Sequence, residues 1–236
     1  MKFRYKPITN TKQHSKATRA LSTIKFIVIH DTGNPSKGAD AEAHYRYLQT
    51  ATRYGSAHYY VDDKEIIQTI GDSLTAWAVG DKWAWKNRTR TDVTNYNSLS
   101  AELCINKGIG KEKAYKNLVE LTKNLMKKFN ITDDKVVRHY DATGKLCPNS
   151  WSKDNWSKWW QFKEDIKKPI EWQIDLSKDS EFGKEEDKMT DFDKEYQEAI
   201  NKKITDGTRP DDNITRKEAA VMILRAIGNK KEDPPT

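Results

Sequence analysis

Two hydrophobic periodicities alternate along the first part of the chain and predict strands interleaved with helices. Residues 24–29 form an apolar, β-branched run that predicts a buried strand, and this strand ends at His30. Residues 56–61 and 65–70 alternate between apolar and polar positions on either side of a two-aspartate turn. That pattern predicts a β-hairpin.

Longer stretches with helical spacing separate these strands. The ranges that predict helices are 41–52, 111–129 and 155–167, and those that predict further strands are 99–105 and 135–139. Together they predict an α/β fold with a mixed central β-sheet flanked by helices. Residues 1–22 are polar and basic without a clear period, so we expect an irregular segment there.

The charge of the chain is unevenly distributed and suggests two units. The 236 residues carry a net charge of +7, of which residues 1–170 contribute +12 and residues 171–236 contribute −5. We predict a main domain over residues 1–168, a linker over residues 169–188 and a small α-helical domain over residues 189–236. The basic domain could attract nucleic acid, anionic lipid or an anionic polymer, and charge alone does not choose among them.

Composition narrows the class of protein. The mean hydropathy of −0.94 is low, but eight Trp, ten Tyr and six Phe are enough to build a folded core. No apolar run approaches the length of a membrane span, and none follows the cationic start, so we expect no membrane segment and no secretory signal. Two cysteines, Cys104 and Cys147, do not make a disulfide scaffold. We expect Cys104 to be a buried thiol because its neighbours are apolar.

Three residues could together hold a metal ion. His30 and His139 end predicted strands, and Cys147 lies in the loop that follows His139. Imidazole nitrogen and thiolate sulfur are zinc ligands, and catalytic zinc sites commonly use three protein ligands and a water. Spacing alone does not choose between ligands and ordinary structural histidines. We assign the ordinary role to His14 and His44.

Five short motifs favour the metal site over ordinary structural histidines. In chain order they are Phe26-Ile-Val-Ile-His30, Ser56-Ala-His-Tyr-Tyr-Val61, Ala76-Trp77, Asn97-Ser-Leu-Ser-Ala-Glu102, and His139-Tyr-Asp with Lys145-Leu-Cys-Pro148. Each motif alone is weak, but their order and separations over residues 22–150 are specific. The chain resembles the zinc-dependent N-acetylmuramoyl-L-alanine amidases, the family of phage endolysins that is related to peptidoglycan recognition proteins.

The resemblance implies a bacteriolytic enzyme that cleaves cell-wall peptidoglycan. It implies Zn²⁺ held by His30, His139 and Cys147, with Glu102 as the catalytic carboxylate and Lys145 as a second catalytic or oxyanion-stabilising group. It also implies a protein made in the host cytoplasm that reaches the wall after release during lysis. Without the resemblance, Glu102 would be a glutamate on a half-exposed strand face and Lys145 a solvated loop lysine.

Two positions depart from the family pattern. Many relatives carry a histidine after the Ala-Trp pair, where this chain has Ala78, and some carry a catalytic tyrosine where it has Ala57. We assign substrate binding to His58 and Trp77. The alternatives for His58 are support of the metal ligands and a plain sheet-surface role, and the alternative for Trp77 is a core tryptophan. Trp83 and Trp85 are further candidates for stacking on sugar.

The C-terminal residues resemble a single S-layer-homology-type module. The pattern includes two predicted helices, 192–203 and 215–227, and Thr215 with Glu218 fits a helix capping box. The resemblance implies attachment to a secondary wall polymer, or assembly into a homo-oligomer. A helical hairpin that only dimerises, or that packs on the main domain, is the alternative.

Three other functions remain open from the sequence. A peptidoglycan-binding protein without activity is one, although the presence of Cys147 argues against it. A nucleic-acid-binding protein is another, but the basic residues are dispersed and no nucleic-acid motif is present, so we expect no nucleic-acid partner. A hydrolase that uses Cys147 as nucleophile and His139 as base is the third.

Overall fold

The computed structural model describes residues 1–80 and 87–177, which contain six strands and four α-helices. The strands are β1 (Lys2–Tyr5), β2 (Phe26–Asp31), β3 (Tyr59–Val61), β4 (Glu65–Gln68), β5 (Ser98–Leu103) and β6 (Val136–Arg138). The helices are α1 (Ala41–Thr50), α2 (Lys111–Phe129), α3 (His139–Thr143) and α4 (Lys153–Asp165). Within these two stretches, every helix is too short or too polar to cross a lipid bilayer.

All six strands form one sheet in the order β1-β4-β3-β5-β2-β6. Only the β3–β4 hairpin is antiparallel, and the other neighbours pair in parallel. The predicted mixed sheet flanked by helices is therefore confirmed. Because β2, β5 and β6 run in parallel and lie side by side, their carboxyl ends meet at one edge of the sheet.

Because side chains alternate along each strand, the two faces of the sheet carry different residues. On one face, Ile29 of β2 and Ala101 of β5 pack with Leu118 of α2 and Phe162 of α4 in the largest apolar cluster. The alternate residues of β2 and β5, which include His30 and Glu102, point to the opposite face. The first face thus anchors the sheet to α2, while the opposite face combines a second apolar cluster around Val28 with the polar His30 and Glu102 at the carboxyl ends of the strands.

Helix α2 has the bounds that its apolar spacing predicts, residues 111–129. It ends where Asn130 adopts a left-handed conformation, with φ of 50°, and its backbone N–H donates to the Met126 carbonyl. This local geometry satisfies a carbonyl at the end of the helix. The predicted helices at 41–52 and 155–167 are also present, with ends shifted by two residues.

The prediction of an irregular segment over residues 1–22 is wrong at its start. β1 pairs in parallel with β4, and the Arg4 side chain forms ion pairs with Glu65 and Glu42. A four-residue strand at the sheet edge buries little apolar surface, so its sequence carries almost no periodicity. Its polar side chains are matched by charges on β4 and α1.

A buried arginine ties the rest of this segment to the sheet. Arg19 is 2% exposed. Its guanidinium donates to the backbone carbonyls of Asp72, Asn95, Tyr96 and Ser98. Burial lowers its pKa to about 10, so the side chain stays charged at neutral pH. The segment before β2 is therefore an integral part of the core.

The described part of the predicted linker, residues 169–177, packs along α2. The Glu120 carboxylate accepts hydrogen bonds from the backbone N–H groups of Glu171 and Trp172. Asn124 donates to the Trp172 carbonyl, and Leu176 is buried in the main cluster. This segment is called the α2 strap below. The domain division itself stays a prediction, since residues 178–236 lie outside the described residues.

Candidate metal centre

Two histidines and a cysteine converge at the carboxyl edge of the sheet. His30 lies near the end of β2, and His139 follows the neighbouring strand β6 and begins α3. Cys147 comes from the loop after α3. One ligand atom from each of the three side chains lies within 4.8 Å of the others, and all three residues are buried.

The spacing of these atoms fits a tetrahedral zinc ion. Cys147 Sγ lies 3.8 Å from His30 Nδ1. Two ligands that bind zinc at ordinary bond lengths stand about 3.5 Å apart at a tetrahedral angle. The imidazole rings of His30 and His139 have centroids 4.5 Å apart and are tilted by 56°, so they do not stack face to face. Two imidazoles and one thiolate leave a fourth position for water or substrate.

Two hydrogen bonds hold Cys147, one at its backbone carbonyl and one at its sulfur. The Cys147 carbonyl accepts a hydrogen bond of 2.9 Å from the backbone N–H of Tyr140, next to His139. The sulfur accepts a hydrogen bond from the backbone N–H of Asp31, next to His30. Burial raises the pKa of the Cys147 thiol. Without a bound cation the thiol therefore stays protonated, which is unfavourable for a cysteine nucleophile.

Glu102 stands beside the three residues on the adjacent strand β5. It pairs in register with His30, and its Oε1 lies 3.9 Å from His30 Nδ1. Its side chain is 20% exposed, and its Oε2 has no hydrogen-bond partner among the described residues. Burial and the nearby Asp31 carboxylate raise the pKa of Glu102 well above its usual value, and Lys145 opposes the shift. A carboxyl group with a raised pKa holds a proton more readily than an exposed one, which suits a group that must take up and release a proton.

Lys145 lies two residues before Cys147 and is partly exposed. Its positive charge favours the ionised forms of both Glu102 and Cys147. The loop that carries it begins at Gly144, which has φ of 79° and closes α3. Lys145 is therefore close enough to this group to act on charge that develops there.

Comparison with known proteins identifies the family. The family model described as N-acetylmuramoyl-L-alanine amidase matches residues 20–150, more than half of the chain. This chain belongs to that family. The match contains His30, Glu102, His139, Lys145 and Cys147, the residues that the fold brings together.

Two curated relatives of this chain are amidases of Bacillus species. The chain is 37% identical to the N-acetylmuramoyl-L-alanine amidase XlyA of Bacillus subtilis (strain 168) over 126 residues, 53% of this chain and 40% of XlyA. It is 31% identical to the amidase CwlL of Bacillus licheniformis over 154 residues, 64% of this chain and 43% of CwlL. The chain thus spans less than half the length of these two relatives. The solved catalytic domain of XlyA superposes with a TM-score of 0.59 at 31% identity, covering 70% of this chain and 99% of that domain.

His58 is not placed to bind a substrate of the amidase. The residue is 1% exposed, and its Nδ1 lies 3.1 Å from Ser100 Oγ. Its Nε2 lies 3.1 Å from both Arg19 and the Leu74 carbonyl. Burial and the Arg19 charge lower the pKa of His58 well below its usual value, so the ring stays neutral. The substrate-binding prediction is wrong because alternation in the strand cannot reveal that other segments cover this face.

Trp77 is also a packing residue rather than an open stacking surface. Its side chain is buried, with 8% of the residue exposed, and its Nε1 donates to the Lys12 carbonyl at 3.0 Å. A sugar ring needs an exposed indole face, which Trp77 does not offer. Trp83 and Trp85 lie outside the described residues. Cys104 is a buried free thiol, as predicted.

Asp31 is a residue of this group that the motifs do not single out. It follows His30 directly, ends β2 and is 7% exposed. The available signal was a carboxylate at the end of an otherwise apolar strand, immediately after a candidate metal ligand. A buried carboxylate needs hydrogen-bond partners, and in the fold these come from the loop beyond Cys147.

Proposed function

We propose that this amidase domain hydrolyses the amide bond between N-acetylmuramic acid and L-alanine in bacterial peptidoglycan, with zinc as its metal. The observation that carries the proposal is the convergence of His30, His139 and Cys147 beside the Glu102 carboxylate, within the residues that match the family. The donor set and its spacing fit zinc better than a hard cation, which prefers an all-oxygen site.

The residues of the site divide the chemistry of amide hydrolysis between them. When bound, zinc would lower the pKa of water and polarise the substrate carbonyl. Glu102 would accept a proton from the attacking water and later deliver it to the departing alanine nitrogen, because an amine leaves readily only after protonation. A raised pKa suits a carboxyl group that must both take up and give back a proton.

Lys145 would stabilise negative charge on the former carbonyl oxygen. Its charge already acts on Glu102 and Cys147, and a fixed cation at the developing oxyanion contributes strongly in a site with little water. Lys145 is partly exposed, so its side chain is accessible from solvent.

Mass spectrometry of digested walls tests the reaction. Purified peptidoglycan is incubated with the full chain, and the soluble products are analysed for new alanine amino termini and new reducing sugar ends. An amidase yields new L-alanine amino termini without new reducing ends. New reducing ends alone would identify a glycosidase, and no new ends with retained wall binding would identify the non-catalytic binding protein.

Metal removal separates zinc chemistry from thiol chemistry. We expect a chelator to abolish hydrolysis and one equivalent of Zn²⁺ to restore it, with metal analysis showing one zinc per chain. A cysteine nucleophile would instead survive the chelator and be inactivated by an alkylating reagent. Burial of Cys147 and its raised pKa support the first outcome.

We further propose that the small C-terminal module, residues 189–236, attaches the amidase to a secondary wall polymer or assembles it into a homo-oligomer, as in a phage endolysin that acts after release from the host cytoplasm. The support is the pattern of the C-terminal sequence. A chain ending at Ser177 should bind intact walls more weakly than the full chain while hydrolysing small muropeptides equally well. Equal wall binding by both chains would remove the anchoring role, and light scattering reports the assembly state.

A further inference from the structure

The loop that carries Cys147 is held to the end of β2 through one residue. The Asp31 carboxylate accepts a hydrogen bond of 2.6 Å from the backbone N–H of Ser150, three residues beyond Cys147. The backbone N–H of Asp31 donates to the Cys147 sulfur. Asp31 thus contacts the loop both at the ligand and just after it.

Other contacts fix this loop on either side of the Asp31 hydrogen bond. On its other side the Cys147 carbonyl is bonded to the Tyr140 N–H, while Leu146 is 52% exposed and Ser150 is also exposed. The next residue, Trp151, is buried in the main apolar cluster, so the Asp31 hydrogen bond fixes the stretch between Cys147 and that apolar anchor. A charged acceptor for a backbone N–H makes a shorter and stronger hydrogen bond than a neutral one.

We propose that Asp31 is a positioning residue, whose carboxylate holds the Ser150 end of the loop on β2 and thereby sets the place of the Cys147 sulfur in the metal site. The inference rests on the proposed metal but not on the proposed substrate. Groups that orient a metal ligand commonly change metal affinity about 10–100-fold when they are removed. The negative charge of Asp31 near the site also favours a bound cation, so removing this charge should lower metal affinity as well.

The test measures zinc affinity in the folded full-length chain by competition with a chromophoric chelator. Asp31→Ala should raise the zinc Kd about 10–100-fold, and Asp31→Asn should raise it by a smaller factor, about threefold or more. Cobalt substitution supplies a second readout, because the thiolate-to-cobalt charge-transfer band reports the Cys147 bond. We expect that band to weaken or shift in both variants.

Glu120→Ala is the matched control. Glu120 is another buried carboxylate that accepts backbone N–H groups, but it lies on α2 and holds the α2 strap. Its loss should lower the melting temperature without changing the zinc Kd or the cobalt spectrum. If zinc affinity fell only because the fold was less stable, the zinc Kd would rise in all three variants.

Several outcomes would overturn the proposal. These are a folded Asp31→Asn chain with the zinc Kd and cobalt band of the unmodified chain, an equal loss of affinity in Glu120→Ala, and an unmodified chain that binds no zinc. Asp31→Asn decides the matter if Asp31→Ala fails to fold. If the unmodified chain binds zinc and the variants lose affinity, yet walls remain uncut, the proposed reaction fails and the role of Asp31 stands.

Discussion

At the scale of single residues, the candidate metal centre depends on the position of the Glu102 carboxylate in β5. Glu102 shares the polar face of β5 with Ser98 and Ser100, but only Glu102 reaches the level of His30. The same alternation that puts Ala101 and Leu103 into the core sets the Glu102 side chain beside His30, one of the proposed metal ligands. Its role follows from one position in one strand.

Glu102→Gln should lower kcat/KM for wall hydrolysis about 100- to 10,000-fold, because glutamine keeps the shape but cannot accept a proton. Zinc content and melting temperature should change little, which metal analysis and thermal unfolding check. Glu65→Gln, another strand glutamate that is mostly buried, is the control and should keep its activity. A Glu102→Gln chain with half the original activity would exclude the carboxylate as base.

Lys145→Met should reduce kcat with little change in zinc affinity, because the side chain acts on developing charge rather than on the metal. We expect a loss of about 100- to 1,000-fold, the scale of removing one oxyanion-stabilising group. Steady-state kinetics on a soluble muropeptide separate kcat from KM. A change in KM alone would instead assign Lys145 to substrate binding.

At the scale of elements, helix α2 joins the apolar core to the α2 strap. Leu118 and Leu121 are fully buried under the sheet, while Glu120 and Asn124 bind the backbone of residues 171–174. Lys123 is 5% exposed and donates to the Pro169 carbonyl. One helix therefore uses its polar residues to close the domain.

A chain that ends at Lys168 should be less stable than one that ends at Ser177, by about 3 kcal/mol in the free energy of unfolding. It loses the burial of Leu176 and leaves the buried Glu120 carboxylate without its two backbone donors. Urea unfolding of the two chains measures the difference. Equal midpoints and slopes would show that the α2 strap adds nothing.

Elements with strong periodicity were predictable, and covered or edge positions were not. α2 and β2 bury long apolar faces, and their patterns follow directly from that burial. β1 and the α2 strap are held by hydrogen bonds to particular partners far along the chain, which leave no period in the sequence. The site follows the same division. The ordered motifs predicted the grouping of His30, His139 and Cys147, whereas the burial of His58 and Trp77 depends on distant segments that pack over them and leave no local pattern.

At the scale of the whole molecule, the excess of positive charge in residues 1–170 suits an anionic polymer. We expect binding of a chain ending at Ser177 to intact walls to weaken as salt rises from about 0.1 M to 1 M, where the screening length falls from about 10 Å to about 3 Å. Sedimentation with purified walls measures the bound fraction. Hydrolysis of an uncharged substrate analogue is the control and should change little, while salt-independent binding would assign attachment to apolar contacts.

The buried Arg19 sets a limit on exchanging catalytic domains between wall enzymes. The family match begins at residue 20, yet the guanidinium one residue earlier satisfies four backbone carbonyls under the sheet. A chimera joined at residue 20 would lack Arg19, and those buried carbonyls would lose their hydrogen-bond donor. The unit that can be transplanted intact therefore starts before the residues that match the family, and its useful boundary is decided by hydrogen bonds rather than by similarity.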